Sequence, residues 1–182
     1  MEIIDVPYVR QRYHEAFGAA LTPSFSHWMD RGEDGMAGAA LGYRRAGDEP
    51  LFLERYLDEP IEALVSSALS RDILRSRIVE IGNFAAGNAL AMLDLWGAAA
   101  NDLGSASEVA VATLTATLRS MFARIGVPIV VLVPACAQRV GEDPGAWGKY
   151  YELDPQVCAG VISQGQQAIS EFLTRRRKRS AA

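Results

Sequence analysis

The sequence predicts a mixed α/β domain in which helices cover both faces of a central sheet. Segments with the two-residue period of strands alternate with segments of helical period along the 182 residues. Strand–helix–strand units over residues 77–133 imply at least one right-handed parallel crossover. Hydrophobic residues make up 49% and charged residues 22%, ordinary values that exclude collagen-like, disordered and disulfide-scaffold chains.

The N-terminal part of the chain predicts one helix and two strands. Residues 22–34 are polar and aromatic, which indicates a loop or a short helix. The small residues at 35–45 predict a strand, and residues 51–56 (LFLERY) predict a second strand antiparallel to it. The helix is indicated by residues that share one helical face: Val9, Tyr13, Phe17, Ala20 and Leu21.

The middle of the chain predicts a helix, a strand and a second helix. Pro60 is expected at the first position of a helix over 61–69, with Asp58 as its N-cap. Residues 77–86 (RIVEIGNFAA) alternate in the manner of a strand. The Ala/Leu-rich residues 88–101 predict the next helix.

Further along, residues 108–113 predict a short strand, and an amphipathic helix that ends at Gly126 follows it. The apolar run 127–133 (VPIVVLV) predicts a buried strand, and residues 156–163 predict a last strand. Two sets of residues indicate the helices: Leu114, Leu118, Met121, Phe122 and Ile125, and then Ile169, Phe172 and Leu173 at the C-terminus.

Charge is unevenly distributed between the predicted domain, 1–174, and a basic C-terminal tail, 175–182. Five of the 18 basic residues lie in the run 175–179, which leaves 13 basic against 22 acidic residues, a net charge of −9. Such a tail either attracts nucleic acid, an anionic membrane or an acidic protein, or is a solvated chain end. The second interpretation is favoured because chain ends are usually loosely held.

Several classes of function are not supported. His14 and His27 have no partner at metal-ligand spacing, so we expect no metal. Cys136 and Cys158 lie in apolar surroundings and are expected to be buried thiols. Basic residues outside the tail show no aromatic interleaving, so specific nucleic-acid binding is not expected. The sequence shows neither a signal peptide nor a stretch of 18 apolar residues, and a cytoplasmic monomer or homodimer is expected.

Two polar residues interrupt the strand predicted over 77–86. Glu80 and Asn83 lie where a strand inside a sheet would be apolar, and a buried carboxylate is costly unless it is paired or used. A structural interpretation pairs Glu80 with a nearby arginine, for which we name Arg44, Arg45 and Arg77. A functional interpretation makes it a perturbed catalytic carboxylate. Periodicity alone does not separate the two.

The strand then meets the predicted helix through a short loop that contains Gly87 and Asn88. A strand–loop–helix junction offers free backbone N–H groups and the positive end of a helix dipole, which together can bind a phosphate. The alternative is a tight turn in which Asn88 is the N-cap of the helix.

Residues 147–155 (WGKYYELDP) are a second informative segment because they concentrate aromatic side chains in a loop. Tyr150 and Tyr151 can donate or accept hydrogen bonds. In a near-extended segment they would face opposite sides, so one of them would enter a given pocket. Alternatively, Trp147 and one tyrosine cover the open end of the core.

Four stretches of this sequence resemble the thermostable hemolysin family. They are LFLERYLDEPIE at 51–62, IVEIGNFAA at 78–86, TLRSMFARIGVPIVVLVPA at 117–135 and WGKYYELDPQVCAG at 147–160. That family looks like a branch of the GNAT superfamily of N-acyltransferases, similar in style to acyl-homoserine-lactone and N-acyl amino acid synthases. The resemblance implies a mostly antiparallel sheet with one splayed parallel pair that holds an acyl thioester.

The resemblance also implies where the donor binds. Strand 78–86 would hold the pantetheine arm of acyl-CoA or of an acyl carrier protein, and the loop after it would hold the phosphates. The superfamily loop reads Gln/Arg-x-x-Gly-x-Gly/Ala, and this chain has Phe84 at the first position, which leaves room for a carrier-protein donor or for loss of activity. The implied donor-binding residues are Phe84, Ala85, Ala86, Gly87, Asn88 and Ala89.

The mechanism implied by the resemblance is direct transfer to a small amine. Glu80 would be the general base, Tyr150 or Tyr151 the general acid, and Asn83 would orient the amine or a water. The amide N–H near Phe84 would polarise the thioester carbonyl. Glu54, Trp147 and Trp28 are expected to contribute to substrate binding. Alternatives are a catalytically silent GNAT-like binding module and a membrane-active cytolysin.

The resemblance changes the interpretation of the basic tail. If the tail has a role, it is expected to dock an acidic acyl carrier protein or an anionic membrane and not nucleic acid. The small residues Gly38, Ala39, Ala40 and Gly42 either leave room for an acyl chain or allow close strand packing.

Overall fold

Six strands form one mixed sheet in the computed structural model, which describes residues 5–33, 36–141 and 144–180. The strand order across the sheet is β1-β2-β3-β4-β6-β5. The strands are β1 (His27–Glu33), β2 (Met36–Arg45), β3 (Ile78–Ala86), β4 (Val109–Leu114), β5 (Val130–Pro134) and β6 (Gln156–Val161). The helices are α1 (Asp5–Phe17), α2 (Ile61–Leu69), α3 (Ala89–Leu103), α4 (Ala116–Ile125) and α5 (Ile162–Ser180).

One pair of neighbouring strands is parallel and the other described pairs are antiparallel. β3 and β4 run in the same direction, connected through α3, while β2 pairs with β3 and β6 pairs with β4 in the opposite direction. This confirms the predicted mixed, mostly antiparallel sheet and its parallel crossover.

The sheet separates two apolar layers, as the prediction of helices on both faces requires. On one face, α3 and α5 pack over the sheet, and Val79, Leu95 and Val127 belong to the apolar layer there. On the other face, α1, α2 and a 3-10 helix (Phe52–Tyr56) cover the sheet, and Leu53 and Val111 are fully buried there. Each apolar face of the sheet is thereby removed from water, which is the dominant favourable contribution to folding.

Most predicted elements match the structure within a few residues. α2 begins at Ile61 and ends at Leu69 as predicted, although Pro60, not Asp58, occupies the N-cap position. The side chain of Asn88 caps α3 by accepting hydrogen bonds from the N–H groups of Leu90 and Ala91, both at 3.0 Å. Gly126 ends α4 in the left-handed conformation.

Two predicted elements in the N-terminal third are wrong. Residues 22–34, interpreted as a loop or short helix, contain β1, whose pattern was missed because it is an edge strand with mostly exposed polar side chains. Residues 51–56, predicted as a strand, form the 3-10 helix (Phe52–Tyr56) instead. Its buried residues Leu53 and Tyr56 are three apart, the repeat of a 3-10 helix.

Two burial predictions near the C-terminal half are also wrong. β5 was predicted to be buried, but it is an edge strand paired with β6, and Val130 and Val131 are exposed. Cys158 is buried as expected, whereas Cys136 is exposed. The apolar run of β5 indicates a strand but does not distinguish a central position from an edge.

The basic run continues the last helix. α5 extends to Ser180, and the side chains of residues 175–179 are exposed along its final turns. Over the residues that the structure describes, none of the helices has the length and apolarity needed to cross a bilayer.

Candidate functional site

The two parallel strands separate after three residue pairs, and the opening between them is the centre of the candidate site. β3 pairs with β4 from Ile78 to Glu80. Beyond this point β3 is paired with β2, and β4 beyond Val111 is paired with β6. Ile81, the next residue of β3, lines one cavity on each face of the sheet. The opening therefore lies between two cavities with different linings.

Glu80 is the buried carboxylate at this opening, with 3% of its surface exposed. Its Oε2 accepts a hydrogen bond from the N–H of Phe52 at 2.7 Å, and its Oε1 accepts one from the N–H of Leu53 at 3.0 Å. Of the three arginines named from the sequence, Arg44 is the partner: its Nε lies 3.5 Å from Glu80 Oε2. That contact is electrostatic, because the buried Arg44 Nε makes no hydrogen bond among the described residues.

Burial sets the protonation behaviour of Glu80. Desolvation raises the pKa of its carboxyl to about 7, and the hydrogen bonds from Phe52 and Leu53 and the charge of Arg44 only partly offset this rise. A carboxyl with this pKa is partly ionised near neutral pH, where it can accept a proton from an incoming group and hold it.

A bulge in β3 places Asn83 beside Glu80. Ala40 and Gly42 of β2 pair with Ala85 and Gly82 of β3. The first two are two residues apart and the second two are three apart, so β3 contains one extra residue here. Asn83 has a φ of 50°, a left-handed conformation that asparagine tolerates better than most residues. The residue is buried, and it lines the same cavity as Glu80.

The ring of Phe25 lies directly on two glycines of the sheet. A Cβ atom at Gly42 or at Gly82 would lie 2.6 Å from an atom of this ring, so both positions need glycine for close approach. Arg44 packs on the ring, with its guanidinium carbon 4.7 Å from the ring centroid. Phe25 thereby forms one wall of the cavity that contains Glu80.

The opposite wall is an aromatic cluster in which two of the predicted residues meet. Tyr150 contacts Trp147 at a centroid distance of 5.4 Å, and Trp147 contacts Phe52 at 5.9 Å. The segment is held against the end of α1, because Lys149 donates its N–H to the carbonyl of Phe17 at 2.9 Å. Gly148 has a φ of 54°, and a Cβ there would lie 2.0 Å from that carbonyl oxygen.

Tyr150 and Tyr151 do not face opposite sides, as a near-extended segment would require. They begin a 3-10 helix (Tyr150–Leu153), and their rings lie 5.5 Å apart. Tyr150 donates its hydroxyl to the carbonyl of Thr113 at 3.4 Å. The Tyr151 hydroxyl shares a hydrogen bond of 2.7 Å with that of Tyr56. Tyr56 lines the Glu80 cavity, so Tyr151 is connected to the cavity through it.

Three tyrosines that line the Glu80 cavity, Tyr13, Tyr56 and Tyr150, are held in the protonated form. Burial raises the pKa of Tyr150 well above its usual value, and burial together with the Tyr151 hydrogen bond does the same for Tyr56. Burial raises the pKa of Tyr13 to about 12, against a smaller lowering by the side chain of Asn83. Each phenol therefore remains a hydrogen-bond donor throughout the physiological pH range.

On the other face of the sheet the opening meets an apolar cavity of about 100 Å³. Phe84, Trp96 and Phe122 form one side of it, with Trp96 stacked on Phe122 at a centroid distance of 4.1 Å. Ala112 and Cys158 also line it. No charged side chain is among the described residues that line this cavity.

A larger cavity of about 280 Å³ adjoins the Glu80 cavity on its own face. The two share Phe25, Phe52, Asn83 and Trp147 in their linings. The larger cavity is more polar because Thr22, Ser24 and Arg55 also line it. Its volume is close to the lower end of the range for small-molecule sites.

The loop after β3 is built as a tight connection. The Gly87 N–H donates to the carbonyl of Gly38 at 2.9 Å, and Arg12 donates to the carbonyl of Ala86 at 3.0 Å. Asn88 and Ala89 are exposed, and the Asn88 side chain occupies two N–H groups at the start of α3. Phe84 packs edge-on against Trp96, at a centroid distance of 5.8 Å, and so extends the apolar cavity.

The structure brings together four of the predicted site residues around one cavity: Glu80, Asn83, Trp147 and Tyr150. It places Glu54 elsewhere, where the carboxylate is bound by Arg75 at 2.6 and 2.8 Å and holds the N–H of Leu51. Trp28 packs beside Phe25 and donates Nε1 to the Phe25 carbonyl at 3.2 Å. Neither Glu54 nor Trp28 lines the Glu80 cavity.

Sequence reasoning missed four aromatic residues of this cavity: Tyr13, Phe25, Phe52 and Tyr56. Phe25 had a detectable signal, because glycines inside strands such as Gly42 and Gly82 mark sites where another group approaches closely. The other three residues come from distant segments and had no signal of this kind. In the part of the chain that the structure describes, no cluster of three His, Cys, Asp or Glu side chains could hold a metal.

The splayed parallel pair, the bulge on its first strand and the helix that follows define the GNAT-like class of fold. A family model for thermostable hemolysin matches residues 6–166, and the chain belongs to that family. No curated protein sequence matches the chain.

Several solved structures have a similar fold. TofI, in a ternary complex with an inhibitor and MTA, has a TM-score of 0.58 at 17% identity and covers 92% of this chain and 87% of its own. The CoA-dependent acyl-homoserine lactone synthase BjaI, with SAM and isopentyl-CoA, has a TM-score of 0.61 at 13% identity. The match covers 94% of this chain and 81% of BjaI. FeeM, an N-acyl amino acid synthase from uncultured soil microbes, has a TM-score of 0.57 at 11% identity, with 91% and 92% covered.

Proposed function

We propose that this protein transfers an acyl group from an acyl thioester to a small amine. The observation that carries the proposal is the opening between β3 and β4, with a buried carboxylate on one face of the sheet and an apolar cavity on the other. An acyl chain belongs in the apolar cavity, and a polar acceptor belongs in the cavities around Glu80. The thioester carbon would then lie at the opening, where the two substrates meet.

Glu80 is the general base of the proposed reaction. Its carboxylate takes a proton from the amine of the acceptor as the nitrogen lone pair attacks the thioester carbonyl carbon. A C–N bond forms and the C–S bond breaks, so that the sulfur leaves as a thiolate. The raised pKa of Glu80, about 7, suits a base that must accept a proton near neutral pH.

Tyr150 or Tyr151 supplies the proton that the leaving thiolate needs. Tyr150 lines the cavity directly, whereas Tyr151 would act through the hydroxyl of Tyr56, 2.7 Å away. Burial raises the pKa of Tyr150 well above its usual value, so this phenol is protonated at neutral pH, as a general acid must be before it acts. Asn83 orients the amine, and the backbone N–H near Phe84 polarises the carbonyl in the manner of an oxyanion donor.

The donor is acyl-CoA or the acyl phosphopantetheine of a carrier protein, bound along β3 and the loop from Phe84 to Ala89. BjaI, which is similar in fold, is CoA-dependent and holds isopentyl-CoA, and this supports a CoA donor. Helix α5 runs antiparallel to α3, since Gln166 bonds Asn101 while Arg177 shares a groove with Asp94. The basic end of α5 therefore lies beside the first turns of α3, where it would attract the phosphates or an acidic carrier protein.

The test of this proposal is the Glu80→Gln variant. Purified protein is incubated with panels of acyl-CoA, acyl carrier protein and amines, and products are identified by mass spectrometry. We expect the wild type to form amides and Glu80→Gln to lose about 10² to 10⁴ of the rate, the usual contribution of a general base. Glu62→Gln is the matched control, because Glu62 is also bound to an arginine but lies outside the cavities. Full activity of Glu80→Gln overturns the base assignment.

The pH dependence of the rate and of the stability, measured for wild type and Glu80→Gln, separates catalysis from folding. With its pKa raised to about 7, Glu80 predicts a rate that rises with pH and levels off above 7. In the unfolded chain the pKa of a glutamate is about 4.3, lower than the value in the folded protein. The protonated carboxyl therefore stabilises the fold fully below about pH 4.3, and this contribution is lost as the pH rises through about 7. Glu80→Gln removes this pH-dependent loss in a thermal melt. A wild-type rate that is flat between pH 6 and 8 contradicts the assignment.

A second candidate function is a binding module that holds an acyl thioester without reacting. It is favoured by one observation: both Glu80 oxygens already accept backbone N–H groups, so the carboxylate also caps the 3-10 helix (Phe52–Tyr56). This candidate predicts that acyl-CoA binds to the protein and is recovered intact with every amine tested. Leakage of liposomes caused by the protein without donor or amine would instead support the membrane-active alternative.

A further inference from the structure

Arg44 is buried directly opposite Glu80 on the neighbouring strand. The two residues are partners in the antiparallel register of β2 and β3, and Arg44 is 8% exposed. Its Nε lies 3.5 Å from Glu80 Oε2 but makes no hydrogen bond with any described residue. A buried positive charge is thus placed beside the carboxylate without being hydrogen-bonded to it.

Other partners hold the guanidinium of Arg44 in this position. Its Nη2 donates to the carbonyl of Ser24 at 2.7 Å, and its Nη1 donates to the carbonyl of Pro50 at 3.3 Å. Nη1 also lies 3.7 Å from a carboxylate oxygen of Glu49. Because these partners engage both Nη groups, Arg44 does not form the two parallel hydrogen bonds that arginine frequently makes with a carboxylate.

This arrangement suits a carboxylate that must gain and lose a proton. Burial without a neighbouring positive charge favours the protonated carboxyl, which cannot act as a base. Charge-assisted hydrogen bonds from an arginine favour the ionised carboxylate and make it a weaker base. A fixed charge at 3.5 Å without a hydrogen bond lies between these limits. Burial raises the pKa of Glu80 to about 7, and the charge of Arg44 is one of the causes that limit this rise.

We propose that Arg44 is a positioning residue that sets the pH at which Glu80 becomes an effective base. The inference rests on the proposed function, in which Glu80 is the general base. Arg44 does not line the Glu80 cavity, so it acts through the charge that it holds beside the carboxylate. Glu49 opposes this action, because a second carboxylate on the same guanidinium disfavours ionisation of the first.

The other groups around Glu80 do not supply a positive charge. Glu54, on the 3-10 helix (Phe52–Tyr56), is a carboxylate whose charge opposes ionisation of Glu80. On β4, Glu80 is opposite the apolar Val111. Its cavity is also lined by three phenols: Tyr13, Tyr56 and Tyr150. In the part of the chain that the structure describes, Arg44 is therefore the cation that forms an ion pair with Glu80.

The test compares the pH dependence of kcat/KM in wild type, Arg44→Met and Arg44→Lys, with an acyl-CoA and amine pair found in the mass-spectrometric panel. One amine is used throughout, so its own ionisation is common to all three proteins. We expect the rising limb of Arg44→Met to move to higher pH by about 1–3 pH units, which lowers kcat/KM by about 5- to 500-fold at pH 7 and restores it at higher pH. Arg44→Lys keeps the charge and should recover most of the wild-type profile.

Two further variants distinguish this effect from a loss of stability. Arg45→Met is the matched control, because it removes a positive charge from the next residue of β2, whose side chain lies on the other face of the sheet. It should move the limb much less than Arg44→Met does. Glu49→Gln should move the limb to lower pH by a fraction of a pH unit, because it removes the opposing charge. Equal profiles for Arg44→Met and Arg45→Met overturn the inference, and so does a shift of Glu49→Gln to higher pH.

Direct titration of the Glu80 carboxyl separates this inference from the proposed function. The side-chain carboxyl carbons of protein labelled with carbon-13 glutamate are followed by NMR as the pH is raised, and the signal absent from Glu80→Gln identifies Glu80. A higher midpoint in Arg44→Met and a lower one in Glu49→Gln support the inference even if no amine is ever acylated. Acyl transfer by wild type together with an unmoved midpoint in both variants leaves the proposed function intact and contradicts the role of Arg44.

Discussion

The two faces of the sheet at the opening between β3 and β4 differ in almost every physical property. On the face of Glu80, a carboxylate, an arginine and several phenols are buried together, each held by hydrogen bonds or by a ring contact. On the other face, the cavity beneath Trp96 is apolar and its one indole donor is unsatisfied. The polar groups on the Glu80 face are therefore already held in place by protein contacts. On the apolar face the buried N–H of Trp96 has no hydrogen-bond partner among the described residues.

Among substitutions that leave every functional group in place, the largest effect is expected from filling the apolar face. Ala112 lines the cavity together with Trp96, and Ala112→Leu adds bulk where the acyl chain would lie. One methylene group more or less in an apolar pocket alters kcat/KM by about 10- to 200-fold, and this substitution adds more than one carbon. We expect a loss of this order for long acyl donors and a much smaller loss for an acetyl donor, measured in steady-state assays.

Ala116→Leu is the control for this substitution, because Ala116 is exposed at the start of α4. If Ala112→Leu treats long and short donors alike, the acyl chain does not occupy the apolar face, and the assignment of the two faces fails.

A smaller effect is expected from disturbing the polar face without removing any functional group. Gly82→Ala would put a methyl group 2.6 Å from the ring of Phe25 and displace that wall of the Glu80 cavity. Overpacking of this kind costs about 1–3 kcal/mol of stability. We expect the rate to fall by about tenfold for every donor, with the preference between long and short chains unchanged.

Gly97→Ala is the control, since a Cβ there meets Ile169 at an ordinary 3.6 Å. A thermal melt of both variants shows how much of the change is stability. If Gly82→Ala alters donor preference more than rate, the acyl chain lies on the Phe25 side, and the comparison is reversed.

The smallest effect is expected from the basic end of α5, which lies outside both cavities. Removal of residues 175–182 takes away five positive charges. We expect KM for the donor to rise a few-fold at low salt, with kcat unchanged and the difference lost at high salt, because screening weakens exposed charges. An unchanged KM at low salt means that the run is a solvated helix end.

Much of the fold is predictable from local pattern. The bounds of α2, the strand character of β3 and the caps at Asn88 and Gly126 follow from periodicity and cap chemistry, which act within a few residues. β1 and the 3-10 helix (Phe52–Tyr56) were missed for a physical reason. An edge strand with solvated side chains has no apolar alternation, and the 3-10 helix depends on Glu80, distant in sequence, to hold its N–H groups.

The candidate site divides in the same way. Glu80 and Asn83 stand out in the sequence because a polar pair interrupts an apolar strand, and Tyr150 stands out in an aromatic loop. Tyr56 and Phe25 do not, because their roles depend on the hydroxyl of Tyr151 and on two glycines in neighbouring strands. Glu54 shows the reverse: this charged residue of the stretch 51–62 is bound to Arg75 and does not line the Glu80 cavity.

By itself, the sequence determined the alternation of strands and helices, the buried polar pair on β3 and the basic run at 175–179. These depend on the order of residues along one element, which local sterics and hydrophobic periodicity translate directly into structure. Only the tertiary structure decided which arginine faces Glu80, where β3 and β4 separate, and that Trp96 Nε1 has no acceptor. Each of these is a relation between segments distant in the chain, and packing in three dimensions creates it.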